Sequence, residues 1–199
     1  MHTLFLKLFD CVFPPSKTLL RVRNLSQETV HSKYCLSYTD ETRSLSMYTD
    51  PDIKALIHEA KFHGNTKAFT LLNILVHTYV SETITSYDLI IPIPLPPARM
   101  RKRGYNQVCE ILRAGEITIP INTKILKRVR HTRPQTELTK KERLTNLRDA
   151  FGVTDQELIR GKHILLVDDV TTTGTTLEEA RRALLPCKPA SVTCLAIAH

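Results

Sequence analysis

The apolar residues of the chain alternate between short unbroken runs and stretches with helical spacing. Residues 164–167 are four apolar, mostly branched residues in succession, as expected of a parallel strand that is buried on both faces. Similar runs predict strands at 88–94 and 192–198, a short strand at 124–129 and a return to the sheet at 150–153. This pattern indicates an α/β fold.

Helices are predicted where apolar residues recur every three or four positions. The first strong one begins at Pro51 behind an Asp50 cap and stops at Gly64, which is a favourable set of end signals. The predicted helices cover residues 51–63, 66–80, 105–115 and 175–185.

The first 47 residues carry a weaker pattern and are predicted to form an appendage to a main domain at 48–199. Apolar residues recur at helical spacing between positions 4 and 12, and two prolines end that helix. The segment either packs on the main domain or binds a partner or a membrane surface. Residues 16–47 predict no element, because isolated apolar residues are mixed with polar ones.

The strand at 164–167 passes through two carboxylates into a threonine-rich loop that precedes a helix. Backbone amides around Gly174 and the neighbouring hydroxyls form a concave donor surface at the positive helix end, which fits a phosphate monoester. Thr175 or Thr176 is the predicted helix cap, because each has a glutamate three residues later. The predicted phosphate-binding residues are Thr171, Thr172, Thr173, Gly174, Thr175 and Thr176.

Asp168 and Asp169 end the strand at the sheet edge where ligands of open α/β folds bind. Two acceptors ahead of a phosphate loop suit the vicinal hydroxyls of a ribose 5-phosphate, or a Mg²⁺ ion held by that sugar. Adjacent strand residues point to opposite faces, so both carboxylates reach one ligand only if the backbone begins to turn at Asp169. The alternative is a plain strand end followed by a capped helix.

Two basic segments follow the predicted strands. The first, residues 99–106, is predicted to be a loop at the same sheet edge as Asp168, where it is suited to bind pyrophosphate; a solvated basic turn is the alternative. Its predicted ligand-binding residues are Arg99, Arg101, Lys102, Arg103 and Gly104. The second, residues 128–148, has no continuous apolar stripe and is predicted to be a lid.

Composition narrows the classes of partner. The formal net charge of +8 favours polyanions such as phosphorylated sugars, nucleic acid or an anionic membrane surface. The five cysteines are odd in number and form no C-x-x-C pair, which indicates reduced thiols and a cytoplasmic protein. The spacing of Cys11, His31 and Cys35 fits no closed zinc site. No segment approaches the roughly 20 apolar residues of a membrane span.

The acidic strand end and its T-T-G-x-T loop resemble the 5-phosphoribosyl 1-diphosphate (PRPP) binding motif of type I phosphoribosyltransferases. More narrowly, the chain from about residue 48 onward resembles the ComF-type proteins associated with DNA uptake in competent bacteria. The features that carry this resemblance are Lys61-Phe62-x-Gly64, the P-I-P-L-P strand end, Arg99 with Arg103-Gly104-Tyr105-Asn106-Gln107, residues 135–138, Arg143 with Asn146, Ala150-Phe151 and the loop itself.

The resemblance also shows a departure from the family pattern. ComF-type proteins commonly open with a four-cysteine zinc finger after an L-F-P-P segment. Phe13-Pro14-Pro15 remains here, but residues 16–22 contain no cysteine. The finger is therefore predicted to be lost, and zinc is not expected.

The resemblance implies a type I phosphoribosyltransferase-like fold, with a central mostly parallel sheet flanked by helices and an N-terminal helical hood. It implies that PRPP binds as its Mg²⁺ complex. Asp168 and Asp169 are the implied catalytic residues: they would bind the ribose hydroxyl groups, and they would bind the Mg²⁺ ion either directly or through the ribose. The implied lid residues are Arg130, Arg133, Gln135 and Arg143.

Other functions of the same fold stay open at this point. The acceptor of the phosphoribosyl group is open among purines, pyrimidines and amines. The alternative function is a non-catalytic module that binds single-stranded DNA or partner proteins of the DNA-uptake machinery. The oligomeric state is open between a monomer and a homodimer.

Overall fold

The computed structural model describes residues 14–39, 41–84, 86–129 and 150–199. The helix predicted between positions 4 and 12, Cys11, and the lid residues Arg130, Arg133, Gln135 and Arg143 lie outside the described residues.

A mostly parallel sheet forms the centre of the fold. The strands of the described residues are β1 (Ser37–Thr39), β2 (Thr42–Ser44), β3 (Leu89–Pro92), β4 (Leu126–Arg128), β5 (Phe151–Val153), β6 (His163–Val170) and β7 (Ser191–Ala198). Five of these described strands form the central sheet in the order β1-β2-β7-β6-β3. All neighbours in it are parallel except β1, which is antiparallel to β2. The predicted α/β fold with a mostly parallel sheet is confirmed.

Helices cover both faces of this sheet. The described helices are α1 (Lys17–Asn24), α2 (Gln27–His31), α3 (Pro51–Phe62), α4 (Thr66–Glu82), α5 (Pro97–Arg103), α6 (Gln107–Arg113) and α7 (Thr175–Leu184). α1 packs on α3, and α2 packs on α4, so the N-terminal helices form an outer layer on one side. Across the described ranges, no helix combines the length and the apolar character that crossing a bilayer requires.

The buried apolar residues of the described chain form two hydrophobic cores, and β6 contributes side chains to both of them. Leu165 and Val167 belong to the core under α3, α4 and α6, whereas Ile164 and Leu166 belong to the core under α7. All four side chains are fully buried. The prediction of a strand that is buried on both faces is therefore confirmed, and its carboxyl end projects from the middle of the molecule.

The end signals of α3 also act as predicted. One carboxylate oxygen of Asp50 accepts hydrogen bonds from the amides of Asp52 (2.8 Å) and Ile53 (3.1 Å). The helix ends at the His63 cap, and Gly64 follows with a positive φ of 59°. A left-handed residue there turns the chain directly into α4, because Asn65 caps that helix.

The predicted basic loop after β3 is instead the helix α5. Pro97 is tolerated at its first position, where an amide would have no helical partner, and the following Arg, Met and Lys residues favour helix. The helix ends at Gly104, whose φ of 82° is left-handed. The loop prediction is therefore wrong, although the basic residues do lie directly beyond the carboxyl end of β3.

Two further expectations need correction: the return of residues 150–153 to the sheet, and the weak signal of residues 16–47, which in fact contain α1, α2, β1 and β2. β5 does not return to the central sheet but pairs antiparallel with β4 in a separate two-stranded sheet of the described residues. β1 and β2 pair as antiparallel strands, and β2 extends the central sheet beside β7. Thr42 and Ser44 are buried although polar, which is why the apolar pattern missed this strand. The domain division at residue 47 stays a prediction.

Candidate functional site

A pocket opens where β6 ends and α7 begins. It is open to solvent, has a cavity volume of about 30 Å³ and is lined by Asp168 and residues 170–177. All six residues predicted to bind a phosphate belong to this lining. Thr172 and Thr173 are exposed at its mouth, whereas Thr171 and Thr175 are nearly buried. The structure therefore brings the predicted loop and the first of the two carboxylates together.

Gly174 determines the shape of the loop. It is the N-cap of α7 and has a left-handed φ of 69°, and a Cβ atom there would lie 3.2 Å from Thr42 Oγ1. The predicted cap at Thr175 or Thr176 is wrong, because the helix begins one residue earlier than that capping box requires. Within the described chain, no side chain caps α7. Its first-turn amides have no acceptor within the helix and lie at the positive end of its dipole.

Part of the predicted donor surface is used by the protein itself. The Gly174 amide donates to Thr171 Oγ1 at 2.9 Å, and the Thr171 amide donates to the Ala198 carbonyl at 3.0 Å. The Thr173 and Thr175 hydroxyl groups lie 2.7 Å apart in a hydrogen bond. These bonds hold the loop in place, so a bound anion would depend on the helix end and the hydroxyl groups rather than on every amide of the loop.

Asp168 lies at the inner wall of this pocket. Its Oδ1 accepts a hydrogen bond from the Asp169 amide at 2.9 Å. Burial, and secondly the charge of Asp169, raise the pKa of Asp168 well above its ordinary value; the bond from the Asp169 amide and the charges of Lys61 and Arg128 only partly oppose this. The ionised form is therefore poorly satisfied by the protein alone, and a cation or hydroxyl donors in the pocket would stabilise it.

Asp169 points to the other side of β6. The strand continues to Val170, so the turn that would let both carboxylates face one ligand is absent from this described segment. Asp169 is 5% exposed and lies 3.1 Å from Lys61 Nζ. Gln107 Nε2 and the Val170 amide also donate to its carboxylate. The site therefore has one carboxylate in the pocket and a second one held behind it.

Arg103 extends this internal network to α5. It donates to Gln107 Oε1, and its guanidinium carbon lies 5.6 Å from the centre of the Phe62 ring. Burial lowers the pKa of Arg103, although the charge of Asp169 opposes that shift. Arg99, Arg101 and Lys102 are exposed on the same helix, and Gly104 closes it. Arg103 thus supports the acidic pair, whereas the other three cations face solvent.

Arg128 is the first residue of the segment predicted to be a lid, but it ends the strand β4. Its Nε donates to the Pro94 carbonyl at 3.1 Å, and its guanidinium carbon lies 4.8 Å from the Phe151 ring centre. Burial lowers the pKa of Arg128, with the charge of Asp168 acting in the opposite direction. A basic residue at the end of a short strand resembles many others in this sequence, so only the fold identifies it.

Comparisons with known proteins agree with this arrangement. A family model described as "Phosphoribosyl transferase domain" matches residues 106–199, which include β6, the loop and α7. "Competence protein F" of Haemophilus influenzae is 33% identical over 153 residues, which is 73% of this chain and 66% of that protein.

Two further relatives extend the same match. "DNA utilization protein YhgH" of Salmonella typhi is 34% identical, with 71% of this chain and 64% of that protein aligned. "Competence protein ComFC" of Bacillus subtilis is 30% identical over 73% of this chain and 58% of that protein. The aligned part therefore spans slightly less than two thirds of the relatives' own length. The chain belongs to the ComF-type family of the phosphoribosyltransferase superfamily.

Proposed function

We propose that this protein binds PRPP with Mg²⁺ and transfers its 5-phosphoribosyl group to an acceptor. The observation that carries this proposal is the pocket that joins the glycine-capped start of α7 to the Asp168 carboxylate. A helix start with adjacent hydroxyl groups suits a phosphate monoester, and the carboxylate next to it suits the hydroxyl groups of the attached sugar.

Different residues of the pocket would bind different parts of PRPP. Thr172, Thr173 and the first turn of α7 would bind the 5-phosphate, and Asp168 would accept hydrogen bonds from the ribose. Asp169 would not contact the ligand itself, since Lys61 and Gln107 hold its carboxylate behind the pocket. It orients the strand end and sets the charge beside Asp168, which makes it a positioning residue.

The chemistry of the Asp168 site fits a hard cation. Oxygen ligands with negative charge are those that Mg²⁺ prefers. Burial and the charge of Asp169 raise the pKa of Asp168, and a bound cation would favour its ionised form. When bound, Mg²⁺ would neutralise charge on the pyrophosphate leaving group. The ion would be held by Asp168 directly or through the ribose hydroxyl groups.

The surrounding cations would supply the electrostatic part of catalysis. Cleavage of the bond between the sugar and pyrophosphate leaves a cationic sugar and a polyanion, so donors near the leaving group lower the barrier. Arg99, Arg101 and Lys102 on α5 are the exposed candidates for that role. The lid residues at 130–143 and their closure over the site stay part of the proposal.

The biological setting proposed for this chemistry is DNA uptake. It rests on the names of the three relatives, two of which are competence proteins and one a DNA utilization protein. A second candidate function, binding of single-stranded DNA, is favoured by the net charge of +8 and by the exposed cations of α5. The logarithm of its association constant would then fall linearly with the logarithm of the salt concentration.

Calorimetry with PRPP and Mg²⁺ tests the proposed function. The wild type should bind PRPP, and Asp168→Asn should lose most of that affinity. Glu116→Gln, which removes an exposed carboxylate outside the pocket, is the matched control and should bind as the wild type does. Absence of binding by the wild type, or equal binding by Asp168→Asn, would reject the proposal.

A further inference from the structure

The C-terminal end of α3 carries a cluster of side chains that the proposed reaction does not use. His58, Glu59 and His63 each offer one metal-ligating atom, and these atoms all lie within 4.8 Å of one another. Glu59 Oε1 is 3.9 Å from His58 Nδ1 and 4.0 Å from His63 Nε2. Two imidazoles and one carboxylate form a donor set found at zinc centres that keep one coordination position open.

Glu59 is not an ordinary surface carboxylate. Its side chain is 1% exposed, and a buried carboxylate is normally paired with a cation or bound to a metal. The hydroxyl groups of Thr18 (2.6 Å) and Ser16 (3.4 Å) donate to its Oε1, but they carry no charge. Within the described residues, its ion-pair contacts are His58 and His63, which are charged only when protonated.

His58 provides an independent observation. Its Nδ1 is buried and has no hydrogen-bond partner among the described residues, although the side chain as a whole is 44% exposed. The nearest carboxylate oxygen, on Glu59, is too far away for a hydrogen bond. A ring nitrogen that water does not reach, facing a buried carboxylate, is suited to share a metal ion with it.

We propose that His58, Glu59 and His63 bind one Zn²⁺ ion. Ligand bonds of about 2.0–2.2 Å in tetrahedral geometry place neighbouring donor atoms roughly 3.3 Å apart. The two Glu59–histidine separations therefore need to shorten by less than about 1 Å, and the separation of the two histidine nitrogens, which is within 4.8 Å, by at most about 1.5 Å. His63 can make this movement, because it is half exposed and lies at the cap of α3 rather than within it. Water would occupy the remaining position.

The surroundings of Glu59 fit a structural role for this ion. Thr18 and Ser16 orient the carboxylate by hydrogen bonds, as outer residues commonly do for metal ligands. Ser16 is also the N-cap of α1, so the site joins the start of α1 to the end of α3. Zinc binding would therefore stabilise the packing of the N-terminal helices on the domain, independently of PRPP.

A zinc titration of the full chain tests this inference. Metal is removed with EDTA, and Zn²⁺ binding is then measured by calorimetry in competition with a weak chelator. The wild type should bind one ion, and His63→Ala should bind at least about tenfold more weakly, since even outer-sphere changes at metal sites have effects of 10–100-fold. His77→Ala replaces an exposed histidine on α4 and should keep the wild-type affinity.

Thermal unfolding gives a second measurement that needs no activity. Zn²⁺ should raise the Tm of the wild type and of His77→Ala, but not of His63→Ala, because a ligand stabilises only the state that binds it. Cys35→Ser removes an exposed thiol, a type of side chain that can bind zinc, and should leave the result unchanged. Equal affinity of the wild type and His63→Ala, no binding by the wild type, or loss of binding in Cys35→Ser would overturn the inference.

Discussion

Lys61 Nζ lies 3.1 Å from Asp169 Oδ1, and this contact joins the end of α3 to the acidic end of β6. The Asp169 side chain is 7% exposed and that of Lys61 is 23% exposed, so the carboxylate is shielded more than the ammonium group. The negative charge of the buried Asp169 carboxylate is therefore balanced by a lysine from a segment more than 100 positions away in the sequence.

Lys61→Met should destabilise the protein by removing the cation while the buried carboxylate remains. We expect a loss of about 3 kcal/mol in the free energy of unfolding, the lower end of the range for breaking a buried pair, because Lys61 is partly exposed. Urea unfolding measures this. Lys54→Met removes an exposed lysine from the same helix and should change little. The contact would be irrelevant to stability if both variants unfolded at the same urea concentration.

Adding Asp169→Asn to Lys61→Met tests whether the unpaired carboxylate causes the loss of stability. The double variant should be more stable than Lys61→Met alone, because the carboxylate that lost its partner is then neutral. A double variant that is less stable than Lys61→Met would show that the hydrogen bonds which Gln107 and the Val170 amide donate to the Asp169 carboxylate outweigh the cost of its unpaired charge.

Gly174→Ala should affect both stability and ligand binding. A left-handed backbone costs a residue with a Cβ atom about 1–2 kcal/mol, and the new atom would meet Thr42 Oγ1 at 3.2 Å. Gly161→Ala is the matched control, because Gly161 has a φ of 67° and nothing within 4 Å of the added Cβ. We expect Gly161→Ala to lose only the backbone part of the free energy of unfolding and to bind PRPP as the wild type does.

Calorimetry with PRPP and chemical unfolding of the two glycine variants provide the measurements. Gly174→Ala should lose more stability than Gly161→Ala and also bind more weakly, since the cap of α7 moves with it. If both variants kept full affinity, the start of α7 would not contact the ligand.

Asp168→Asn should make the protein without ligand more stable at neutral pH. The pKa of Asp168 is raised in the folded state, so between its unfolded value near 4 and the folded value the folded protein retains a proton that the unfolded chain has lost. Stability contributed by this group therefore falls as the pH rises through that window. Above it, the asparagine variant should be more stable by on the order of 1 kcal/mol.

The pH dependence distinguishes this explanation from a general effect of the substitution. Unfolding of Asp168→Asn and wild type should be compared from pH 4 to pH 8, with Glu116→Gln as the control. The difference for Asp168→Asn should shrink as the pH falls toward 4, since the wild-type carboxyl is protonated in both states only below the unfolded pKa. A difference that is independent of pH would contradict the raised pKa.

The parts of the fold that the sequence predicted are those with a strong apolar signal of their own. Residues 164–167 are apolar on both faces of β6, and the Asp50 cap and Gly64 stop define α3. β2 could not be found in this way, because its inward residues Thr42 and Ser44 are polar and its position depends on pairing with β7. The formation of β2 therefore depends on its tertiary contacts rather than on the apolar pattern of its own residues, as is common for strands.

In the site, too, the features that adjacent residues encode were predictable, and those that depend on distant contacts were not. The loop and Asp168 were predicted from adjacent residues, because a strand end, a glycine and a helix start are all visible in one segment. The opposite orientation of Asp169 depends on where the strand stops, which the sequence left open. Arg128 was predicted only as part of a basic lid segment, because its position depends on contacts with Pro94 and Phe151 that are distant in the chain.

The exposed cations of α5 should act on the pyrophosphate part of PRPP rather than on its sugar phosphate. Replacing Arg101 and Lys102 together by glutamine should weaken PRPP binding by about tenfold at low salt and less at high salt, because exposed charges are screened. Binding of ribose 5-phosphate, measured in the same buffer, should be unchanged. The control Lys54→Gln with Lys162→Gln removes the same charge from exposed positions elsewhere. Equal weakening of both ligands, or by both double variants, would show that net charge and not the position of α5 is responsible.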